Sequence, residues 1–163
     1  MSLSVHLKTQ YEVECWREGV CIWTEQFHNL VTVVGQNKLL DACFKTGESA
    51  NQWFVGLVNN ASFTGYSVND TMASHAGWLE AANYSQANRP AFVATAPVAG
   101  SITNAAAPAV FTITSTLTVR GAFLIDVHTI SGTLGVLYGV GDFTSQRIVL
   151  SSDTINATLT ITD

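Results

Sequence analysis

The chain has 163 residues, 47% hydrophobic and only 12% charged, with a net charge of −5. That length suits a single domain with a sizeable core, and the seven scattered Lys and Arg residues argue against nucleic-acid binding by phosphate neutralisation. Isolated soluble domains disperse by surface charge, yet no charge occurs between Glu48 and Asp70 or between Arg89 and Arg120, so much of this surface is expected to face other subunits.

The opening MSLSVHLKTQYEVE has no basic start followed by an apolar run and does not read as a signal peptide. YEVECWREGVCIWTEQF follows, and a hairpin over about residues 10–27 is expected. Its turn is Arg17-Glu18-Gly19, with Gly19 supplying a positive φ. That turn sets Cys15 opposite Cys21 and Val13 opposite Trp23. Tyr11, Val13, Cys15, Cys21 and Trp23 then share an apolar face. The three cysteines, Cys15, Cys21 and Cys43, form no C-x-x-C pair. Their odd count fits a reducing compartment, so thiols packed in the core are expected rather than a cross-strand disulfide.

The period changes at NLVTVVGQNKLLDACFKTGE. Val33, Gln36, Leu39, Leu40, Cys43 and Phe44 recur at helical spacing, which predicts one short helix near residues 33–46. Thr32 caps its start and Gly47 stops its end. QWFVGLV then reads as a buried strand.

Residues 60–90 lack periodicity and are rich in turn signals: Gly65, Asn69-Asp70, Gly77, Asn83 and Asn88 before Arg89-Pro90. A long ordered loop is expected, with one helical turn near Met72–His75. It is held down by Phe63, Tyr66, Trp78 and Tyr84.

From Phe92 onward the sequence reads as β. FVATAPV is a short strand, and APVAGSITNAAAPA is a small-residue connection. Pro97, Gly100, Asn104 and Pro108 rule out a membrane span over the uncharged stretch 90–119. FTITSTLTV, Phe111 to Val119, alternates strictly as one half-buried strand with threonines outward. RGAFLIDVHTI, TLGVLYGVGDF and DTINATLTITD follow. In the last, Ile155, Ala157, Leu159 and Ile161 point inward. The fold class expected is mainly β: an antiparallel β-sandwich in one domain, residues 1–163.

Chemistry has few footholds. Asp70, His75 and Glu80 are five residues apart, which on a helix separates successive members by about 140°. Zinc sites instead place two ligands one turn apart. The expected role is bracing: Asp70 caps Thr71 and Met72, while His75 and Glu80 bond backbone within the excursion. His6, His28 and His128 are isolated; Asp126 and His128 can share a strand face. GES at 47–49 lacks the strand that precedes a nucleophile elbow. Gly135, Gly139 and Gly141 read as bulges or close backbone approaches, not a phosphate loop. Arg89 and Arg120 either pair carboxylates of a neighbouring subunit or lie exposed. Trp16, Trp53 and Trp78 could form a sugar-stacking platform, although packing is commoner for tryptophan. No catalytic, cofactor-binding or metal-binding residue is assigned.

HNLVTVVGQNKLLDACF, WFVGLV, YSVNDTMASHAGWLE, FTITSTLTVRGAFL and GVLYGVGDF together resemble small virion proteins of tailed bacteriophages, over about residues 28–161. The resemblance implies a capsid cement or decoration protein, made in the bacterial host cytoplasm and seated on the capsid surface over joints between major capsid protein subunits. It implies a jelly-roll-like sandwich, a homo-oligomer (dimer or trimer), no cofactor, and no nucleic-acid or membrane partner. Asp70, His75, Trp78 and Glu80, with Tyr66 and Arg89, would then shape a loop that reaches a neighbour. A tail-fibre or receptor-binding module contacting host glycans is the alternative; a metal-dependent hydrolase using Asp70, His75 and Glu80 comes third.

Overall fold

The computed structural model describes residues 7–47 and 52–162. His6 and most of the GES stretch, Glu48 and Ser49, lie outside the described residues.

Two antiparallel sheets make up the protein. The first is built on the hairpin of β1 (Lys8–Arg17) and β2 (Val20–His28). In it β1 pairs β10 (Thr154–Thr162), whose other edge takes both β6 (Ser101–Thr103) and β7 (Ala109–Thr112). The second sheet runs β3 (Leu30–Val31), β9 (Leu137–Val149), β8 (Leu117–Ile125), β4 (Phe54–Asn59) and β5 (Leu79–Ala81). Helix α1 (Val33–Phe44) is the single helix among the described residues. A mainly β chain with antiparallel sheets and one helix is thus as expected.

The main core lies between the sheets. Tyr11, Val13, Cys15, Phe111, Ile155, Ala157 and Leu159 of the first meet Val55, Leu57, Ala122, Leu124, Tyr138 and Phe143 of the second. In β10 the alternation Ile155, Ala157, Leu159 dictates this inward face, and its threonines are half-exposed on the other. A second core covers the outer face of the second sheet, where Met72 and Trp78 of the excursion close over Val58, Phe123, Ile125, Leu137 and Val140. Strand β8 is therefore buried on both faces, which explains its unbroken apolar run Ala122–Ile125.

Several expectations are corrected. Glu18 and Gly19 both have positive φ, 50° and 80°, so the hairpin closes through a two-residue turn. A bulge at Cys15/Trp16 then sets Cys15 opposite Trp23, Trp16 opposite Cys21 and Val13 opposite Glu25. All three cysteines are free thiols; Cys15 is buried, Cys21 half-exposed and Cys43 exposed.

The helix starts as predicted, with the Thr32 hydroxyl accepting from Gly35 N–H, but it ends at Lys45, ahead of Gly47. Its apolar periodicity misleads: Gly35 is its buried residue, while Val33, Leu40 and Phe44 are exposed.

FVATAPV forms no strand; its Phe92 N–H bonds Trp53 O at 2.8 Å. Part of the supposed connection, Ser101–Thr103, is a strand instead. FTITSTLTV is two strands, because the chain leaves the first sheet after Thr112 and enters the second at Leu117. Close backbone approach does explain Gly139, where an added Cβ would lie 2.8 Å from the Leu30 carbonyl oxygen.

Candidate functional site

The excursion after β4 is a braced layer over the second sheet. Asp70 is buried and its Oδ2 accepts from Ser67 N–H and from Trp78 Nε1, each at 3.0 Å. The carboxylate thus ties the start of the turn to the tryptophan eight residues on, instead of capping Thr71 and Met72. Trp78 packs on Phe123 (centroids 5.2 Å) and Tyr66 (6.1 Å), with the His75 ring 4.1 Å away. His75 Nδ1 lies 2.9 Å from the Trp78 carbonyl, a backbone contact within the excursion as predicted. No helical turn forms near 72–75; Thr71 and Ser74 close a tight turn by reciprocal 3.0 Å backbone bonds.

Tyr66 donates to Gly141 O at 3.3 Å, and burial pushes its phenol up. Arg120 bonds Asp142 at 2.8 Å and lies over the Phe63 ring at 4.9 Å.

Glu80 and Arg89 form a separate knot. Arg89 Nε and Nη2 reach Glu80 Oε1 and Oε2 at 2.8 and 2.7 Å, a bidentate pair. Arg89 Nη1 donates to Val127 O, and Ser131 N–H donates to Glu80 Oε2. The pair pins β5, the end of the excursion and the loop after β8 together. Arg89 and Arg120 therefore find their carboxylates inside the chain, neither in a neighbour nor simply exposed.

The structure brings Asp70, His75, Trp78 and Tyr66 together and leaves Glu80 with Arg89. Among the described residues no group of three His, Cys, Asp or Glu could hold a metal ion. Asp126 Oδ1 accepts from Val136 N–H, and His128 Nδ1 is 2.8 Å from Asn88 Oδ1. The three tryptophans do not converge. Trp16 Nε1 bonds Glu14, Trp53 packs on Tyr138, and Trp78 is buried under the excursion.

Two polar braces escaped the sequence reading. Asp153 receives Arg17 Nε and Nη2 at 2.7 and 2.8 Å and Leu150 N–H at 2.8 Å. The guanidinium holds its carboxyl below the usual carboxylate range, against the opposing effect of burial. Cys15 lies beside it, and burial, reinforced by that carboxylate, pushes the thiol up to about 12. Glu25, buried in β2, bonds Arg147 Nε at 2.7 Å and Thr144 N–H at 3.1 Å, joining the two sheets. A signal existed for Glu25: it shares the parity of Trp23 and Phe27, an inward charge on an apolar face.

A cavity of about 400 Å3 opens between the sheets beside α1, lined by Leu39, Trp53, Phe92, Leu124, Tyr138 and Ile161. Beside its apolar lining stand the hydroxyls of Ser101 and of Tyr138, the latter accepting from Thr9.

No model of a known protein family matches the chain, and no curated protein is similar enough in sequence to count as a relative.

Proposed function

We propose that the chain is a structural protein of a bacteriophage virion, a capsid cement that sits on the outer shell and bridges major capsid protein subunits. The carrying observation is the surface. Phe44, Leu134 and Val98 are 83%, 76% and 73% exposed on a chain with few charges to keep such groups apart. Phe44 stands with Leu40 and Val33 along one side of α1, and Val33 N–H bonds the carbonyl of exposed Val68. Rigid braces over 60–90 support the same reading, since a cement must hold its contact surface in shape without chemistry. The excursion itself contributes through its outer residues, Val68 and Leu79, because its aromatic rings face the sheet. Many copies on one shell would add weak contacts by avidity.

Sedimentation of the purified protein with shells of the same virus's major capsid protein tests this. Saturable binding that raises the shell's disruption temperature is expected, and Phe44→Ser should weaken it while leaving the fold intact. A chain that stays in the supernatant at every concentration would remove the proposal.

A further inference from the structure

We propose that the cavity beside α1 is a binding site for a small neutral apolar molecule, a hydrocarbon chain or ring system that carries one acceptor oxygen. Such a site is additional to the cement role and independent of it.

Both sheets and the helix wall the cavity. Ile161 of β10 and Ile102 of β6 close it from the first sheet, Leu124 of β8 and Tyr138 of β9 from the second, and Leu39 reaches it from α1. Trp53 and Phe92 complete the wall, their segments tied by the Phe92 N–H bond to Trp53 O. Pro97 and Gly100 line it from a small hairpin. There Val98 and Ser101 exchange backbone bonds of 2.8 and 3.0 Å, and Thr95 N–H reaches Thr103 O at 3.0 Å. Ala99 and Gly100 form the two-residue turn, with φ of 48° and 74°.

The volume sets the size of the occupant. A single helical turn about 10 Å across and 5.4 Å long already occupies about 420 Å3, so a cavity of about 400 Å3 takes a small molecule and not a segment of a partner protein. An engineered apolar cavity of about 150 Å3 holds benzene, which scales to on the order of 16 non-hydrogen atoms for about 400 Å3.

The lining sets the chemistry. Among the described residues no Asp, Glu, Lys, Arg or His borders the cavity. Water finds few partners against such walls, and apolar ligands replace it readily. An ionised head group would lose its hydration there with no counter-charge in return, which selects a neutral ligand. The Tyr138 hydroxyl accepts from Thr9, and its own proton has no acceptor among the described residues. Burial raises the pKa of this phenol, so it stays protonated and able to donate. One oxygen on the ligand satisfies that donor.

The test uses the full chain and the neutral probe N-phenyl-1-naphthylamine, whose fluorescence rises in apolar surroundings. Saturable one-to-one binding is expected. Decan-1-ol should displace the probe, and ionised decanoate at pH 8 should not at the same concentration. Leu39→Trp and Ile102→Trp fill the cavity from two sides, and each variant that keeps the native circular dichroism spectrum should lose the saturable signal. Tyr138→Phe, which removes only the hydroxyl, should weaken decan-1-ol and leave naphthalene, with no acceptor oxygen, unchanged. A native chain without saturable probe binding would overturn the site, as would decanoate competing as well as decan-1-ol. Binding lost with Phe44→Ser but kept in folded Leu39→Trp and Ile102→Trp would put the probe on the exposed side of α1 and overturn it too.

Discussion

Replacing Arg89 with Met should be among the most damaging single changes in this protein. The Arg89 side chain is 0% exposed and its partner Glu80 4%. The substitution keeps most of the volume but leaves Glu80 buried with Ser131 N–H as its remaining bond. Removing one member of a buried pair costs about 3–5 kcal/mol, and the loss extends to the Arg89 contacts with Val127 O and the Phe123 ring. For a chain of this size each kcal/mol moves the midpoint by about 2–4 °C, so the melting temperature should fall by roughly 6–20 °C. Differential scanning calorimetry at pH 7 reads this directly. Adding Glu80→Leu to Arg89→Met should recover much of the loss, because the stranded charge is gone. A midpoint for Arg89→Met within about 2 °C of the native one would refute the claim that this pair anchors the excursion.

Gly35→Ala gives a test of sign. In an open helix it would gain about 1 kcal/mol, but here the new Cβ would lie 2.3 Å from the Tyr138 carbonyl oxygen. A loss of about 1–3 kcal/mol in urea unfolding is therefore expected. With a thiol reagent at pH 8, exposed Cys43 should label first, and buried Cys15 only on unfolding. Asp153→Asn should destabilise at pH 7. Its folded carboxyl is held down chiefly by Arg17, so the stabilisation is present above the unfolded value of about 3.9 and is lost as pH falls through the lower folded value. The gap between variant and native midpoints should accordingly narrow in acid titrations below about pH 4.

Local patterns carried most of the fold. Period-2 alternation in β1 and β10, the Thr32 cap and the apolar run of β4 each rest on physics contained within a few residues. What escaped depends on partners distant in sequence. The bulge at Cys15/Trp16 shifts the hairpin register, and alternation does not reveal an inserted residue. The alternating stretch 111–119 looks continuous because both sheets bury the same parity, Phe111 and Ile113 in one segment and Val119 in the next. Helix α1 has two stripes at helical spacing. The one that packs is set by the close approach of Gly35 to Tyr138 and includes Leu39, while Val33, Leu40 and Phe44 are left outward. In the excursion, the backbone bond of His75 was legible, but the bond from Trp78 Nε1 to Asp70 was not, because a cap on Thr71 and Met72 satisfies the same local pattern. The pairing of Glu80 with Arg89 was not, since it depends on β5 adding to β4. Nothing local in β10 or the turn before it links Asp153 to Arg17, 136 residues away.

The most direct measurement is the position of this chain in an intact particle, by electron cryo-microscopy at a resolution that traces strands. A cement role predicts the two-sheet sandwich on the outer shell, seated at the joints between major capsid subunits, with Phe44 and its apolar neighbours against the shell. Density for the chain only in the tail or its fibres, or particles that lack it altogether, would contradict that role.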